Sequence, residues 1–152
     1  MIEKSFICSS VEQTIQLGEN IGKNIRGGEV IELISDLGGG KTTFVSGLAK
    51  GFNSKDPVSS PSFTISNLYT SKDGKQMHHF DFYRLAEAGI VGNELKEVEG
   101  DPDYVVVIEW GDIVHDILPK DRIQIDIKNL DEEKRSFRLK ISEKHKYLIS
   151  NL

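Results

Sequence analysis

The sequence predicts a single α/β domain over residues 1–152, with a mixed central β-sheet flanked by helices, on three observations. A β-branched segment at 29–34 runs directly into a glycine cluster and then into a stretch of helical period at 43–50. Tyr104, Val105, Val106, Val107 and Ile108 form an uninterrupted apolar run, as expected of a strand covered on both faces. Two alternating segments, 122–127 and 136–141, are separated by a charged turn at 129–134.

Along the chain, residues 6–8 are a short apolar run that reads as a strand. Ser9 and Ser10 then offer an N-cap for a helix from Val11 to about Ile25, with Val11, Ile15, Gly18, Ile21 or Gly22, and Ile25 as its core stripe. Gly27 and Gly28 end it. After the strand, glycine cluster and helix already named, two prolines and three serines within 57–62 predict an exposed loop. An alternating strand follows at 63–69. The stretch 71–75 reads as a hairpin turn, because its Asp–Gly pair suits the positive dihedrals such turns need, and 76–83 is the return strand. A polar helical stretch at 86–98 leads to the apolar run 104–108, the best central-strand candidate.

Composition narrows the class. A length of 152 residues with 38% hydrophobic content supplies one ordinary core and no second. The net charge of -5 argues against a protein that grips nucleic acid through its own field, so any RNA connection is expected to be indirect. One cysteine, Cys8, excludes an internal disulfide framework and reads as a small buried apolar residue. No apolar run approaches the ~18 residues of a membrane span, and the N-terminus lacks a signal-peptide layout, so a cytoplasmic location is expected.

The chemistry is concentrated in the glycine cluster. Ser35, Asp36, Leu37, Gly38, Gly39, Gly40, Lys41 and Thr42 approach the phosphate-binding pattern of a glycine, four variable residues, then Gly–Lys–Ser/Thr. Ser35 stands at the first position, which a negative φ tolerates. Glycines let backbone N–H groups turn inward around a phosphate. Lys41 is expected to place its charge on the β- and γ-phosphates, Thr42 to offer its hydroxyl to Mg²⁺, and the following helix to favour anions at its N-terminus, near Thr43. Strand, loop and helix in this order predict the P-loop NTPase fold, with ATP/ADP and Mg²⁺ as cofactors.

Such a site also needs an acid at the end of a neighbouring strand. Glu109 follows the run 105–108, and Asp81 lies in His79, Phe80, Asp81, Phe82, Tyr83, where alternation puts His79, Asp81 and Tyr83 on one face. His78 and His79 therefore point to opposite faces and are not expected to share a metal.

Asp36 to Phe44 in the loop, Ser60, Pro61, Ser62, Phe63 and Thr64 after it, the 79–84 segment and Ile108, Glu109, Trp110 together resemble the bacterial TsaE (YjeE) family, in order and spacing. The likeness covers nearly the whole chain. It implies the ATPase component of the machinery that makes threonylcarbamoyladenosine beside the anticodon of certain tRNAs, working with the TsaD and TsaB proteins. By position it implies that Lys41 meets the phosphates, Thr42 and Glu109 hold Mg²⁺, Asp81 orients the attacking water, and 60–64 is a switch-like loop. Trp110 and Arg84 are expected near the site or a partner surface. Two positions depart from the family pattern, Ser35 for a common glycine and Ser62 for a common threonine. No basic finger is evident; either Arg84 serves or a partner supplies the missing groups, and the second alternative predicts slow hydrolysis by the chain alone. Two other readings are a small-molecule or nucleoside kinase, although no arginine-rich lid is seen, and a nucleotide-dependent interaction module with little hydrolysis.

Overall fold

The computed structural model describes residues 1–36, 38, 40–61, 66–83, 85 and 89–152. The chain runs β1 (Ile2–Cys8), α1 (Val11–Gly22), β2 (Val30–Ile34), α2 (Lys41–Gly51), β3 (Ser66–Thr70), β4 (Gln76–Asp81), α3 (Gly89–Val98), β5 (Tyr104–Glu109), β6 (Ile123–Asn129) and β7 (Arg135–Ile141). Short 3₁₀ segments at Gly111–Ile117 and Glu143–Ile149 follow β5 and β7. The described strands form one seven-stranded sheet in the order β1-β7-β6-β2-β5-β4-β3. Its middle is parallel, β6, β2, β5 and β4 running together, while β1, β7 and β3 pair antiparallel at the edges. The mixed sheet follows from the connections. Hairpin turns join β3 to β4 and β6 to β7, the parallel neighbours need crossovers, and β1 pairs with β7 from the other end of the chain.

The apolar run at 104–108 is an interior strand, parallel to β2 on one side and β4 on the other. β2 holds the middle place, one step away. Residues 105–109 are buried, as an all-apolar run in a parallel sheet requires. One face packs under α1 and α2 around Ile31, Leu33, Phe44, Leu48, Val105 and Val107. The other packs around Phe80, Leu95, Val106 and Ile108.

Several boundaries differ from the sequence expectation, each for a local reason. β1 begins at Ile2 rather than Phe6, because seven residues find antiparallel partners along β7. Ser10 caps α1 by accepting from Gln13 N–H, worth about 1 kcal/mol. That helix stops at Gly22, not near Ile25, since Asn24 and Ile25 N–H tighten onto the Ile21 and Gly22 carbonyls and Asn24 turns its amide to Leu148 O. Its buried face carries Thr14 and Leu17 with Gly18, Ile21 and Gly22, whereas Val11 is exposed. α2 starts two residues early, at Lys41, because Phe44 N–H reaches back to Gly40 O. β4 ends at Asp81 rather than Tyr83, where the Asp81 carboxylate accepts Tyr83 N–H and closes a turn. The expected strand start at 63–65, Ser62 and residues 86–88 lie outside the described residues.

Glycines set how closely α1 and α2 approach, and so where the phosphate-loop helix rests. A Cβ on Gly47 would lie 2.3 Å from Ile15 O, and one on Gly18 would lie 2.5 Å from Phe44 O. Both obstacles are backbone and cannot rotate away. Gly47→Ala is therefore expected to lower stability by about 2 kcal/mol, an overpacking cost of about 3 kcal/mol less about 1 kcal/mol gained in helix propensity. Denaturant midpoints measure it, and a midpoint at or above that of the wild type would contradict the close packing. No helix among the described residues is long and apolar enough to cross a membrane.

Candidate nucleotide site at the carboxyl edge of the sheet

β2, β5 and β4 lie side by side and parallel, so their carboxyl ends open on one edge of the sheet. Register then fixes the chemistry. Leu33 of β2 is paired with Glu109 of β5, and Glu109 with Asp81 of β4. The glycine loop leaves β2 directly beside these acids and enters α2 at Gly40, whose φ of 89° and ψ of 17° are left-handed. Among the described residues no side chain caps this helix, which leaves its first N–H groups for an anion. A Cβ on Gly38, also at positive φ, would meet nothing within 4 Å among the described residues. Ser35 is outside the positive-φ set, and its Oγ donates to Asp36 O at 2.8 Å. Leu37 and Gly39 lie outside the described residues.

Lys41 is buried, and its ammonium lies in the loop mouth. It is 3.3 Å from Asp36 O, 3.5 Å from Ser35 O and 3.9 Å from Glu109 Oε1. These distances are long for hydrogen bonds, so the cation is loosely held and can exchange the carbonyls for phosphate oxygens. Trp110 covers it, with the ring centroid 5.0 Å from Nζ. Trp110 itself has φ 56° and ψ 53°, a conformation that costs a bulky residue roughly 1–3 kcal/mol and that clusters at functional sites. Tyr83, 4.7 Å away ring to ring, braces it. Thr42 and Thr43 are half-buried in the first turn of α2.

Both acids are buried at these strand ends. Glu109 is held through Oε2 by His79 Nε2 at 2.5 Å. The two histidines point to opposite faces, His78 against Phe80 and Tyr104, His79 against Tyr69 and Glu109. Burial pushes the Tyr69 phenol above its usual range, with Glu109 charge adding in the same direction, which keeps its hydrogen in place at neutral pH.

A cleft of about 270 Å³ opens on the β6 side of the loop, lined in part by Glu32, Asp36, Asp112, Asp126, Lys128 and Trp110. Four acids against one lysine make it a poor seat for a polyphosphate. The start of α2, with Lys41, suits the anion better. Arg122, the residue before β6, donates to the buried Glu32 of β2.

The sequence model described as threonylcarbamoyl adenosine biosynthesis protein TsaE matches residues 8–137. The chain belongs to the TsaE family. Its relatives include the tRNA threonylcarbamoyladenosine biosynthesis protein TsaE of Aquifex aeolicus, 37% identical over 90% of this chain and 95% of that one. The Bacillus subtilis protein of the same name is 35% identical over 82% and 77%. The crystal structure of Bacillus subtilis YdiB superposes with a TM-score of 0.78 at 27% identity, covering 97% of this chain and 92% of that one. The mixed sheet of this TsaE family member thus has the P-loop-type architecture expected from the glycine loop.

Of the residues singled out from sequence, the structure gathers Lys41, Glu109 and Trp110 and puts Asp81 beside Glu109 in register. Arg84, Ser62, Phe63 and Thr64 lie outside the described residues. Sequence reasoning passed over Tyr69 and weighed His79 only for a metal site, which it set aside. Alternation along β4 already placed His79 on the Asp81 face, and that was the available signal.

Proposed function

We propose that this TsaE family member binds and hydrolyses ATP in the tRNA threonylcarbamoyladenosine machinery, acting with TsaD and TsaB proteins and touching tRNA only indirectly. The observation that carries this reading is the meeting of Lys41 and Glu109, 3.9 Å apart, where an uncapped helix start adjoins two buried acids. That donor set fits a nucleotide polyphosphate with Mg²⁺. The N–H groups at the start of α2 and the Lys41 ammonium bind and orient the phosphates, Thr42 and Glu109 hold the metal, and Asp81 orients the attacking water. Mg²⁺, which Thr42 and Glu109 would hold, would supply neutralisation of the charge on the transferring phosphoryl group. Phosphoryl transfer to water asks mainly for positioning, so this small set suffices.

Hydrolysis by the chain alone is expected to be slow, since a cation supplied in trans can contribute about 10³-fold or more in phosphoryl transfer. The test uses phosphate release together with the fluorescence of the single tryptophan, Trp110, 5.0 Å from Lys41. ATP is expected to change the emission, and TsaD with TsaB from the same source to raise turnover. No change in emission, with no stimulation, would sink the proposal and leave a folded domain without this activity. Rapid turnover by the isolated chain would remove the partner dependence.

A further inference from the structure

His79 is fully buried, yet both ring nitrogens have partners. Nε2 meets Glu109 Oε2 at 2.5 Å and Nδ1 meets the Tyr69 hydroxyl oxygen at 3.1 Å. The Nε2–H of the ring faces the carboxylate, and the Tyr69 hydroxyl, with its one hydrogen, lies between His79 Nδ1 and Ser59 O, the latter at 3.2 Å. Asn67 Nδ2 donates to the same carbonyl at 3.2 Å. A continuous path therefore runs from Ser59, just before the 60–64 segment, through Tyr69 and His79 to Glu109 and on to Lys41.

The path decides the conformation of Glu109. Lys41 at 3.9 Å attracts the carboxylate without a hydrogen bond, whereas His79 grips one oxygen and leaves the other facing the loop mouth. A carboxylate without this grip has several rotamers at a strand end, and only some aim an oxygen at Lys41. The imidazole is itself fixed at its far nitrogen by Tyr69, and β3 and β4 hold the two rings 5.9 Å apart, centroid to centroid. We infer that His79 is a positioning residue for Glu109, and that Tyr69 ties this pair to Ser59 at the root of the loop that follows α2. The inference rests on the proposed role of Glu109 at the nucleotide.

Three variants separate this role from packing. His79→Leu removes both nitrogens, His79→Gln restores one donor toward Glu109, and Tyr69→Phe removes only the hydroxyl. In the chain stimulated by TsaD and TsaB, His79→Leu is expected to lower kcat about 10–100-fold with KM for ATP little changed. His79→Gln recovers part of this, and Tyr69→Phe gives a smaller loss in the same direction. In the nucleotide-free protein the imidazole ¹⁵N signals of His79 report the contacts directly. Glu109→Gln should shift the Nε2 signal and Tyr69→Phe the Nδ1 signal. Unchanged kcat in His79→Leu overturns the inference, as does a kcat loss that His79→Gln leaves unrelieved while melting temperature falls. An Nε2 signal indifferent to Glu109→Gln overturns it without any activity measurement. A wild type that neither binds nor hydrolyses ATP would instead bring down the nucleotide reading, and the ¹⁵N signals would still show whether His79 holds Glu109.

Discussion

Replacing Lys41 by alanine is expected to reduce ATP hydrolysis by about 10²–10³-fold, the usual cost of removing one charge-stabilising donor from a phosphoryl or acyl transfer site. Nucleotide affinity falls as well, since a hydrogen bond to a charged group is worth about 1.5–3 kcal/mol, roughly 10–100-fold in Kd. The geometry explains why the loss is so large. The ammonium is held by two long contacts to Asp36 and Ser35 carbonyls, so little is given up when it moves to phosphate. Lys41→Arg is not expected to rescue, because the side chain is only 8% exposed, with Trp110 over the ammonium, and the guanidinium fork needs more room. Trp110 emission against ATP concentration, together with phosphate release, measures both effects. An alanine variant that titrates like the wild type would mean that the phosphates lie elsewhere.

Glu109→Gln is the second large effect. Its kcat is expected to drop about 10²–10⁴-fold, the range for a carboxylate that organises the reacting proton or metal. Glutamine keeps the shape and an oxygen acceptor, so the fold and the contact with His79 persist while the charge is lost. Affinity for ATP in chelator should therefore be retained, and the gain in affinity on adding Mg²⁺ should disappear. Asp81→Asn separates the two acids. Its remaining oxygen still accepts Tyr83 N–H, and kcat is expected to fall with the Mg²⁺ dependence intact. If Asp81→Asn abolishes the Mg²⁺ dependence and Glu109→Gln does not, the roles of the two acids are reversed.

Local patterns made much of the fold legible. The apolar run before Glu109 could only be a strand covered on both faces, and β5 is buried at 105–109. The Asp–Gly turn at 73–74 does join an antiparallel pair, with Ser66 opposite Phe80. Boundaries were less legible because tertiary partners set them. β7 extended β1 by four residues beyond the visible apolar run, and the Asn24 contact with Leu148 O cut α1 short. The helical stripe named Gly18 and Gly22 correctly but included Val11, which is exposed, because periodicity alone does not say which side a neighbouring helix takes.

For the candidate site, residue types and their short-range order were legible in advance: glycines that admit positive φ, a lysine and threonine opening a helix, and two acids at the ends of strands. Those are properties of residue type and short-range order, which spacing carries. Tertiary structure alone decided their juxtaposition. Strand order 6-2-5-4 brought Glu109 beside Leu33 and Asp81, although 76 residues separate Leu33 from Glu109 in the chain. It also turned His79 from one of a pair of adjacent histidines into the group that grips Glu109, through a tyrosine ten residues away on a paired strand. The physical reason is that hydrogen bonding and burial act over a few ångströms in space, and the sheet register, not the sequence interval, sets those distances.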